Sequence, residues 1–119
     1  MKDCIFCAII NKEKDTEFIR DDEHIVVFKD IHPKAPIHFL IVPRKHITSV
    51  NELEEIDREL IGTMIITARN IAKEKHIDGY KLLFNVGRLG GQLIDHIHLH
   101  LMGGWSEFAH EGELVAKPE

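Results

Sequence analysis

Hydrophobic and polar positions alternate in several short segments of the chain, which predicts β-strands. Residues 17–20 and 24–30 are rich in β-branched and aromatic side chains and flank an acidic turn, a pattern typical of a β-hairpin. Residues 35–43 form another apolar run between prolines, and residues 80–86 form a further one ahead of a glycine-rich segment. We expect these four segments to be strands.

A helical pattern occupies the middle of the chain. Ser49 followed by Glu52 fits a capping box, and Gly79 fits a helix stop. A shorter apolar segment at residues 5–10 predicts a short N-terminal helix. Strands at both ends and one long helix between them indicate an α+β fold with a mainly antiparallel sheet. The residues that recur at spacings of three and four are Leu53, Ile56, Leu60, Met64, Thr67 and Ile71.

The last predicted strand contains the sequence DHIHLH at residues 95–100. Side chains alternate across a strand, so His96, His98 and His100 should share one face while the apolar residues between them face the core. A single histidine on such a face would be unremarkable. Three at period two, directly after a glycine-rich segment, indicate a functional site.

Two chemical interpretations of this histidine row remain open at this point. The row could be a metal cage, because neutral imidazole is a common zinc ligand and alternate strand positions can supply several ligands. Alternatively, one histidine could be a nucleophile whose neighbours orient it and neutralise the charge of the electrophile.

Composition narrows the classes of partner. The chain has 119 residues, 44% of them hydrophobic and 29% charged, as in an ordinary globular domain. The formal net charge is −5 and the 15 Lys and Arg residues are scattered, which argues against nucleic acid. No apolar run approaches the ~20 residues of a membrane span, so we expect no membrane association and a cytoplasmic location.

Cys4 and Cys7 form a single C-x-x-C motif near the start of the chain. In the reducing cytoplasm they should be free thiols or metal ligands and not a structural disulfide. A thioredoxin-like redox pair is disfavoured, because such a pair lies between a strand and a helix and only three residues precede Cys4.

Two segments of the sequence carry a family resemblance. GGQLIDHIHLHLMGG at residues 90–104 resembles the signature of the histidine triad (HIT) family, and FKDIHPKAPIHFLIVPRKHI at residues 28–47 resembles a segment of its Hint-like branch. The resemblance implies a HIT domain at residues 1–104, with residues 105–119 as a C-terminal tail. It also implies a HIT-like fold that forms a homodimer through its sheet.

The resemblance implies a purine nucleotide-binding hydrolase or transferase. Its substrates would be nucleoside monophosphates linked to a leaving group, such as adenosine phosphoramidates. His98 would attack the α-phosphorus and form a nucleotidyl-histidine intermediate, assisted by His100 and His38. Asp30 would bind the ribose, Asn85 the ribose or phosphate, and the glycine segment the phosphate. The implied nucleotide-binding residues are Phe6, Ile9, Phe28, Asp30, Ile31, Asn85, Gly90, Gly91 and Gln92.

The resemblance further implies a structural zinc ion and no catalytic metal. Its ligands would be Cys4, Cys7, His46 and His96, two thiolates and two imidazoles that leave no position open for substrate. Two alternatives stay in play. One is a metallohydrolase with zinc on the histidine row, and the other is a nucleotide-binding regulatory module with little turnover.

Three features depart from the Hint pattern. Leu93 stands where family members carry a serine that assists the leaving group, and Asp95 stands where an aromatic or apolar residue is usual. The tail lacks the Trp-Pro-Pro-Gly ending; Trp105 and His110 could replace part of it, but a surface tail is the favoured interpretation. The leucine keeps the regulatory alternative open, because it cannot donate a hydrogen bond.

Overall fold

The computed structural model describes residues 3–106. Residues 107–119, which include His110 and most of the predicted tail, lie outside the described part, so the division at residue 104 stays a prediction. Within residues 3–106 the elements alternate as the sequence indicates, with a long helix between two groups of strands. None of the helices in this part is both long and apolar enough to cross a membrane.

The described residues form one antiparallel sheet with strand order β1-β2-β3-β5-β4. The predicted hairpin is confirmed, since the first two strands pair around the acidic turn. The predicted strands after it are confirmed as well. The five strands are β1 (Phe18–Asp21), β2 (Ile25–Lys29), β3 (Ile37–Pro43), β4 (Tyr80–Leu83) and β5 (Leu99–Gly103).

The sheet is covered on both faces, which explains why four consecutive residues of β2 are buried. The long helix α2 (Arg58–Glu74) lies on one face, where Met64, Ala68 and Ile71 pack against Leu99 and Leu101. The short helix α1 (Ile5–Ile10) covers the other face and contributes to a second apolar cluster. The members of that second cluster are Phe6, Ile10, Val26, Phe28, Leu40 and Val42.

The long helix begins later than the sequence pattern predicts. Residues 50–52 and 55–57 form two 3-10 turns, so the α-helix starts only at Arg58. Ser49 caps the first of these turns, and the reciprocal capping box joins Glu54 to Asp57 instead of Ser49 to Glu52. Ile56, one of the residues that recur at helical spacing in the sequence, is 82% exposed because it lies in the second turn.

The helix also ends before the predicted stop at Gly79. Glu74 is its last residue and Lys75 is the C-cap. His76 follows in the left-handed conformation, with φ of 56°. The Ile77 N–H then bonds the Ala72 carbonyl at 2.8 Å, which is the bond pattern of a Schellman motif. Ile77 is buried, which supplies the apolar contact that accompanies this motif. The helix is therefore ended by His76, three residues before the predicted Gly79.

Asp57 supplies a testable prediction about stability. Its buried carboxylate accepts a hydrogen bond from Lys45 Nζ at 2.7 Å and one from the Glu54 N–H at 2.9 Å. The Lys45 bond, together with that backbone bond, holds the pKa of Asp57 below its ordinary value. The resulting stabilisation is present above the unfolded-state pKa of about 4 and is lost as the pH falls through the lower folded-state pKa.

We therefore expect Asp57→Asn to lower the Tm at pH 7 and to reduce the further loss of Tm on acidification below about pH 4. Thermal unfolding followed by circular dichroism at a series of pH values measures both effects. Glu55→Gln is the matched control, because the Glu55–Arg58 pair is exposed and contributes little. Identical pH profiles for Asp57→Asn and the parent protein would contradict this account.

Candidate active site

The three histidines of the row are buried. His96, His98 and His100 are 0%, 3% and 1% exposed, because α1 covers the face of the sheet from which they project. The predicted alternation is confirmed at Leu99 and Leu101, which pack under α2. The strand is shorter than predicted, since β5 begins only at Leu99 and the first two histidines precede it.

The hydrogen bond made by His98 fixes its tautomer. His98 Nδ1 lies 2.7 Å from the His96 backbone oxygen. A carbonyl can only accept, so Nδ1 carries the proton and the lone pair of the neutral ring is on Nε2. Phe6 packs edge-on against the ring, with centroids 5.0 Å apart and planes at 88°. The ring is therefore held both by a polar contact and by an aromatic wall.

His100 is set in the opposite tautomer by a chain of contacts. The Lys34 N–H donates to His38 Nδ1 at 3.0 Å, so the proton of neutral His38 is on Nε2. His38 Nε2 lies 2.9 Å from His100 Nδ1 and donates to it. His100 then carries its own proton on Nε2. The row thus has a lone pair on His98 Nε2 and an N–H on the Nε2 of its neighbour His100.

Asp30 borders this chain of histidines. Its Oδ2 lies 3.5 Å from His38 Nε2, and its Oδ1 accepts the His32 N–H at 2.8 Å. The Asp30 N–H also donates to the His38 carbonyl at 3.0 Å. A mostly buried carboxylate at this position faces the Nε2 side of neutral His38 and helps to orient that ring.

Four metal-ligand side chains meet beside the row: Cys4, Cys7, His46 and His96, here called the Cys/His cluster. One ligand atom from each lies within 4.8 Å of the others. Cys4 Sγ is 3.4 Å from His96 Nδ1, and Cys7 Sγ is 3.3 Å from His46 Nδ1. His96 Nε2 donates to the Pro43 carbonyl at 2.8 Å, so the lone pair on Nδ1 faces the thiols.

Burial affects the ionisation of this cluster. It lowers the pKa of His96 to about 4 and also lowers the pKa of His46. It raises the pKa of Cys7 to about 11, and a hydrogen bond from the Cys7 thiol to Cys4 adds to the effect. Both cysteines are free thiols. Neutral imidazoles and two adjacent sulfurs form a donor set that suits Zn²⁺ or another soft divalent ion.

The three histidines of the row do not converge on a common metal position. His96 groups with the two cysteines and His46, whereas His100 groups with Asp30 and His38. Among residues 3–106, no group of candidate ligands contains all three. Neutral His38 donates to His100, which accounts for the second group without an ion. This geometry disfavours the metal-cage interpretation of the row.

The glycine-rich loop, which the resemblance assigns to phosphate binding, uses its amides for internal hydrogen bonds in this structure. Its backbone closes a 3-10 turn at Arg88–Gly90. The Gly90 N–H donates to the Gly87 carbonyl at 3.1 Å, and the Gly91 N–H donates to the Arg88 carbonyl at 3.0 Å. These amides are engaged within the loop, and their phosphate contact stays a prediction.

Gln92 is likewise committed to the loop. Its side chain is buried, its Oε1 accepts the Gly87 N–H at 3.0 Å, and its Nε2 donates to the carbonyls of Thr48 and Ile94 at 2.7 and 3.0 Å. The Gln92 side-chain amide therefore holds three backbone groups in this structure, and its predicted role in nucleotide binding stays a prediction. Asn85 Nδ2 donates to the Gly90 carbonyl at 2.8 Å and supports the same loop.

The residues predicted around a purine base fall into two groups. Phe6 and Phe28 are buried and in edge contact, with centroids 5.5 Å apart. Ile9 is half-buried and packs against their cluster. Ile31, by contrast, is 85% exposed. The structure thus brings three of the four side chains together as apolar core and places the fourth at the surface.

An ion pair that sequence reasoning missed spans the loop. Arg88 Nη1 and Nη2 lie 2.8 and 3.0 Å from the two carboxylate oxygens of Asp95, a bidentate arrangement. This contact gives Asp95 a role in loop closure. The opposite charges on either side of the glycines were the available signal. Leu93 is partly exposed and lines an open depression of about 650 Å³ that also borders Cys4 and His46.

The fold and site together define a class of α+β proteins with a buried row of alternating histidines beside a Cys/His cluster. The model of the family described as "Scavenger mRNA decapping enzyme C-term binding" matches residues 3–113. Protein HitA of Neisseria gonorrhoeae is 40% identical over 104 residues, which are 87% of this chain and 97% of that protein. The chain belongs to the histidine triad family.

Further relatives agree with this assignment. The purine nucleoside phosphoramidase of Escherichia coli K12 is 40% identical over 105 residues, which are 87% of this chain and 88% of that protein. A HIT family hydrolase from Legionella pneumophila Philadelphia 1 superposes with a TM-score of 0.85 at 42% identity, covering 87% of this chain and 95% of its own. A histidine triad protein from Clostridium difficile gives 0.87 at 34% identity, with 93% and 98% covered.

The bonds of Gln92 lead to a prediction. Gln92→Leu keeps the approximate volume of the side chain but leaves the Gly87 N–H and the carbonyls of Thr48 and Ile94 without their partner. We expect it to lower the free energy of unfolding by roughly 2–4 kcal/mol, measured by urea denaturation. A variant of unchanged stability that has lost affinity for nucleotide would instead identify Gln92 as a direct phosphate ligand.

Proposed function

We propose that this protein hydrolyses purine nucleoside monophosphates linked to a leaving group, phosphoramidates above all, through a nucleotide covalently attached to His98. The observation that carries the proposal is the pair of opposite tautomers in the row, a lone pair on His98 Nε2 beside an N–H on His100 Nε2. Membership of a hydrolase-containing family and the 40% identical purine nucleoside phosphoramidase add support.

The reaction has two displacements at phosphorus. In the first, His98 Nε2 forms a bond to the α-phosphorus while the phosphorus–nitrogen bond of the substrate breaks, and the amine leaves with a proton from solvent. In the second, water attacks the same phosphorus, the bond to Nε2 breaks, and the monophosphate departs as a proton returns to solvent. A histidine nucleophile thus divides one difficult hydrolysis into two easier steps.

His100 and His38 assist by electrostatics. The His100 Nε2–H would donate to a non-bridging oxygen, which offsets the negative charge that repels a nucleophile. His38 keeps His100 in this tautomer by donating to its Nδ1. Asp30 beside His38 helps to hold that ring in the orientation from which it donates.

The proposed nucleotide site keeps the residues expected from the sequence. Asp30 would accept from the ribose hydroxyls, and Asn85 would bind ribose or phosphate. Phe6, Phe28 and Ile9 would form the apolar wall toward the base, with Ile31 covering it from the surface. For the loop to contribute donors from Gly90, Gly91 and Gln92, its internal hydrogen bonds must open on binding.

A structural metal ion, Zn²⁺ by its donor set, is proposed for the Cys/His cluster. Two sulfurs and two imidazole nitrogens within 4.8 Å of one another support this proposal. When bound, such an ion supplies cross-linking between the N-terminal segment and the histidine row. No catalytic metal is required, because His98 provides the nucleophile.

A homodimer is also proposed. The strand at the end of the sheet, β4, leaves one edge to pair with a second copy, and its Tyr80 and Leu82 side chains are exposed apolar groups. Exposed edge strands of this kind are normally covered or paired. The free thiols agree with a reducing, cytoplasmic location. The proposed HIT domain comprises residues 1–104 and the tail residues 105–119.

Hydrolysis of adenosine 5′-phosphoramidate tests the function directly. We expect the protein to release adenosine monophosphate and His98→Ala to lose at least roughly 10³-fold of kcat, as for removal of a covalent nucleophile. His24→Ala is the control, because His24 is an exposed histidine remote from the row. Tight nucleotide binding by a parent protein without turnover would support the regulatory alternative, which Leu93 keeps open.

Metal content separates the proposed site from a catalytic cage. We expect about one Zn²⁺ per chain by elemental analysis, an unchanged content in His98→Ala, and loss of most metal in Cys7→Ser. The metallohydrolase would be favoured if His98→Ala lost both zinc and activity. It would be favoured further if added zinc restored activity to metal-free parent protein but not to His98→Ala.

A further inference from the structure

We infer that the Cys/His cluster positions the nucleophile: the ligands that would hold the metal also carry the two contacts that orient His98. One contact is the His96 carbonyl, and the other is the ring of Phe6. His96 is itself a cluster ligand, and Phe6 lies in the chain between the ligands Cys4 and Cys7. This inference rests on the proposed function of His98 and extends it.

The first contact depends on the placement of His96. Residues 96 and 98 precede β5, whose pairing with β3 begins at Leu99 opposite Ile41. Sheet hydrogen bonds therefore do not fix them. The segment is held instead by the bond from the Ile97 N–H to the Ile47 carbonyl at 2.7 Å and by the His96 ring. That ring is fastened between the Pro43 carbonyl and the two sulfurs of the cluster.

A single residue thus joins metal binding to the state of the nucleophile. The His96 side chain faces the cluster through Nδ1, while its backbone oxygen accepts the His98 Nδ1–H at 2.7 Å. If the His96 ring is released, its carbonyl can rotate away. His98 then loses the acceptor that keeps its lone pair on Nε2, and the two neutral tautomers become closer in energy.

The second contact, from the Phe6 ring, depends on helix α1, which is too short to be stable by itself. Helix α1 has six residues, fewer than an isolated helix needs for stability in water. Its N-cap is Cys4, whose sulfur accepts the Cys7 N–H at 3.3 Å. Phe6 projects from this first turn, with its ring centroid 5.0 Å from that of His98 and 6.0 Å from that of His96. Fastening the two sulfurs therefore also fixes the wall against the nucleophile.

The proposed ribose contact lies elsewhere. Asp30 follows β2 and is bonded to the turn that leads into β3, with no side chain of the Cys/His cluster among its hydrogen-bond partners within residues 3–106. Loss of metal should therefore lower kcat without removing the ribose contact. We expect kcat to fall by about tenfold to 100-fold, the range for a misplaced reacting group, and the Kd for adenosine monophosphate to change by a smaller factor, because Phe6 also belongs to the proposed base wall.

The experiment compares zinc-loaded full-length protein, the same protein after removal of metal, and His46→Gln. His46 is the ligand to change, because it is half-buried and makes neither of the two contacts to His98. His76→Gln is the matched control at an exposed histidine. Nitrogen-15 NMR of the imidazole rings reports the tautomer of His98 independently of activity, and kcat and Kd are measured on the same samples.

We expect a single Nδ1–H tautomer at His98 in the loaded protein and in His76→Gln. In metal-free parent protein and in His46→Gln we expect a mixture of His98 tautomers and the fall in kcat. Added zinc should reverse both changes in the parent protein and neither of them in His46→Gln. Phe6→Leu is a second variant that keeps all four ligands. It should retain zinc and lose kcat.

Folded, metal-free protein with the Nδ1–H tautomer and undiminished kcat would overturn the inference. If removal of metal unfolds the chain, the test uses Phe6→Leu instead. Zinc-loaded Phe6→Leu with normal kcat and a normal His98 tautomer would also overturn the inference. Failure of the proposed function has a different signature, since an inactive parent protein whose His98 tautomer still follows zinc would refute the hydrolase and leave the coupling intact.

Discussion

The hydrogen bond from His98 Nδ1 to the His96 carbonyl is the constraint on which the rest of the site depends. At 2.7 Å it settles where the proton of the ring lies, and so where the lone pair lies. The two rings of the Lys34–His38–His100 chain are set in the complementary state. Without these contacts a row of imidazoles would be a mixture of tautomers. With them it has one nucleophilic nitrogen and one donor at neighbouring positions.

The pairing of strands in the sheet brings His38 and His100 together. In the antiparallel pair of β3 and β5, His38 stands opposite Met102 and Leu40 stands opposite His100. His38 and His100 are therefore diagonal neighbours on the same face, close enough for long side chains to touch. Their bond of 2.9 Å follows from register and alternation. The same alternation sends Leu99 and Leu101 to the opposite face, under α2.

Much of this could be predicted from the sequence because it depends on periodicity and on residue type. The strands and hairpin follow from β-branched runs around turn formers, and the Cys/His cluster from a family pattern whose residues the fold does bring together. Burial of the histidine face was harder to foresee. It requires α1 to lie across the sheet, and nothing in six apolar residues says where a short helix will dock.

The features that sequence reasoning missed depend on backbone atoms or on competing local contacts. The start of α2 was misplaced because Asp57 and Glu54 cap each other after a 3-10 turn, whereas Ser49 and Glu52 only resembled a capping box. The glycine amides were expected to bind phosphate, but the turn uses them internally. The partner of His98 is a carbonyl, which every residue possesses and no sequence pattern marks.

The central claim is that His98 Nε2 forms a bond to phosphorus. The most direct measurement is mass spectrometry of protein mixed with adenosine 5′-phosphoramidate, quenched within one turnover in alkaline denaturant, which preserves phosphorus–nitrogen bonds. We predict a mass increase of one adenylyl group, located by peptide mapping at His98. An adduct on another side chain, or single-turnover product formation with no adduct at any time point, would contradict the account.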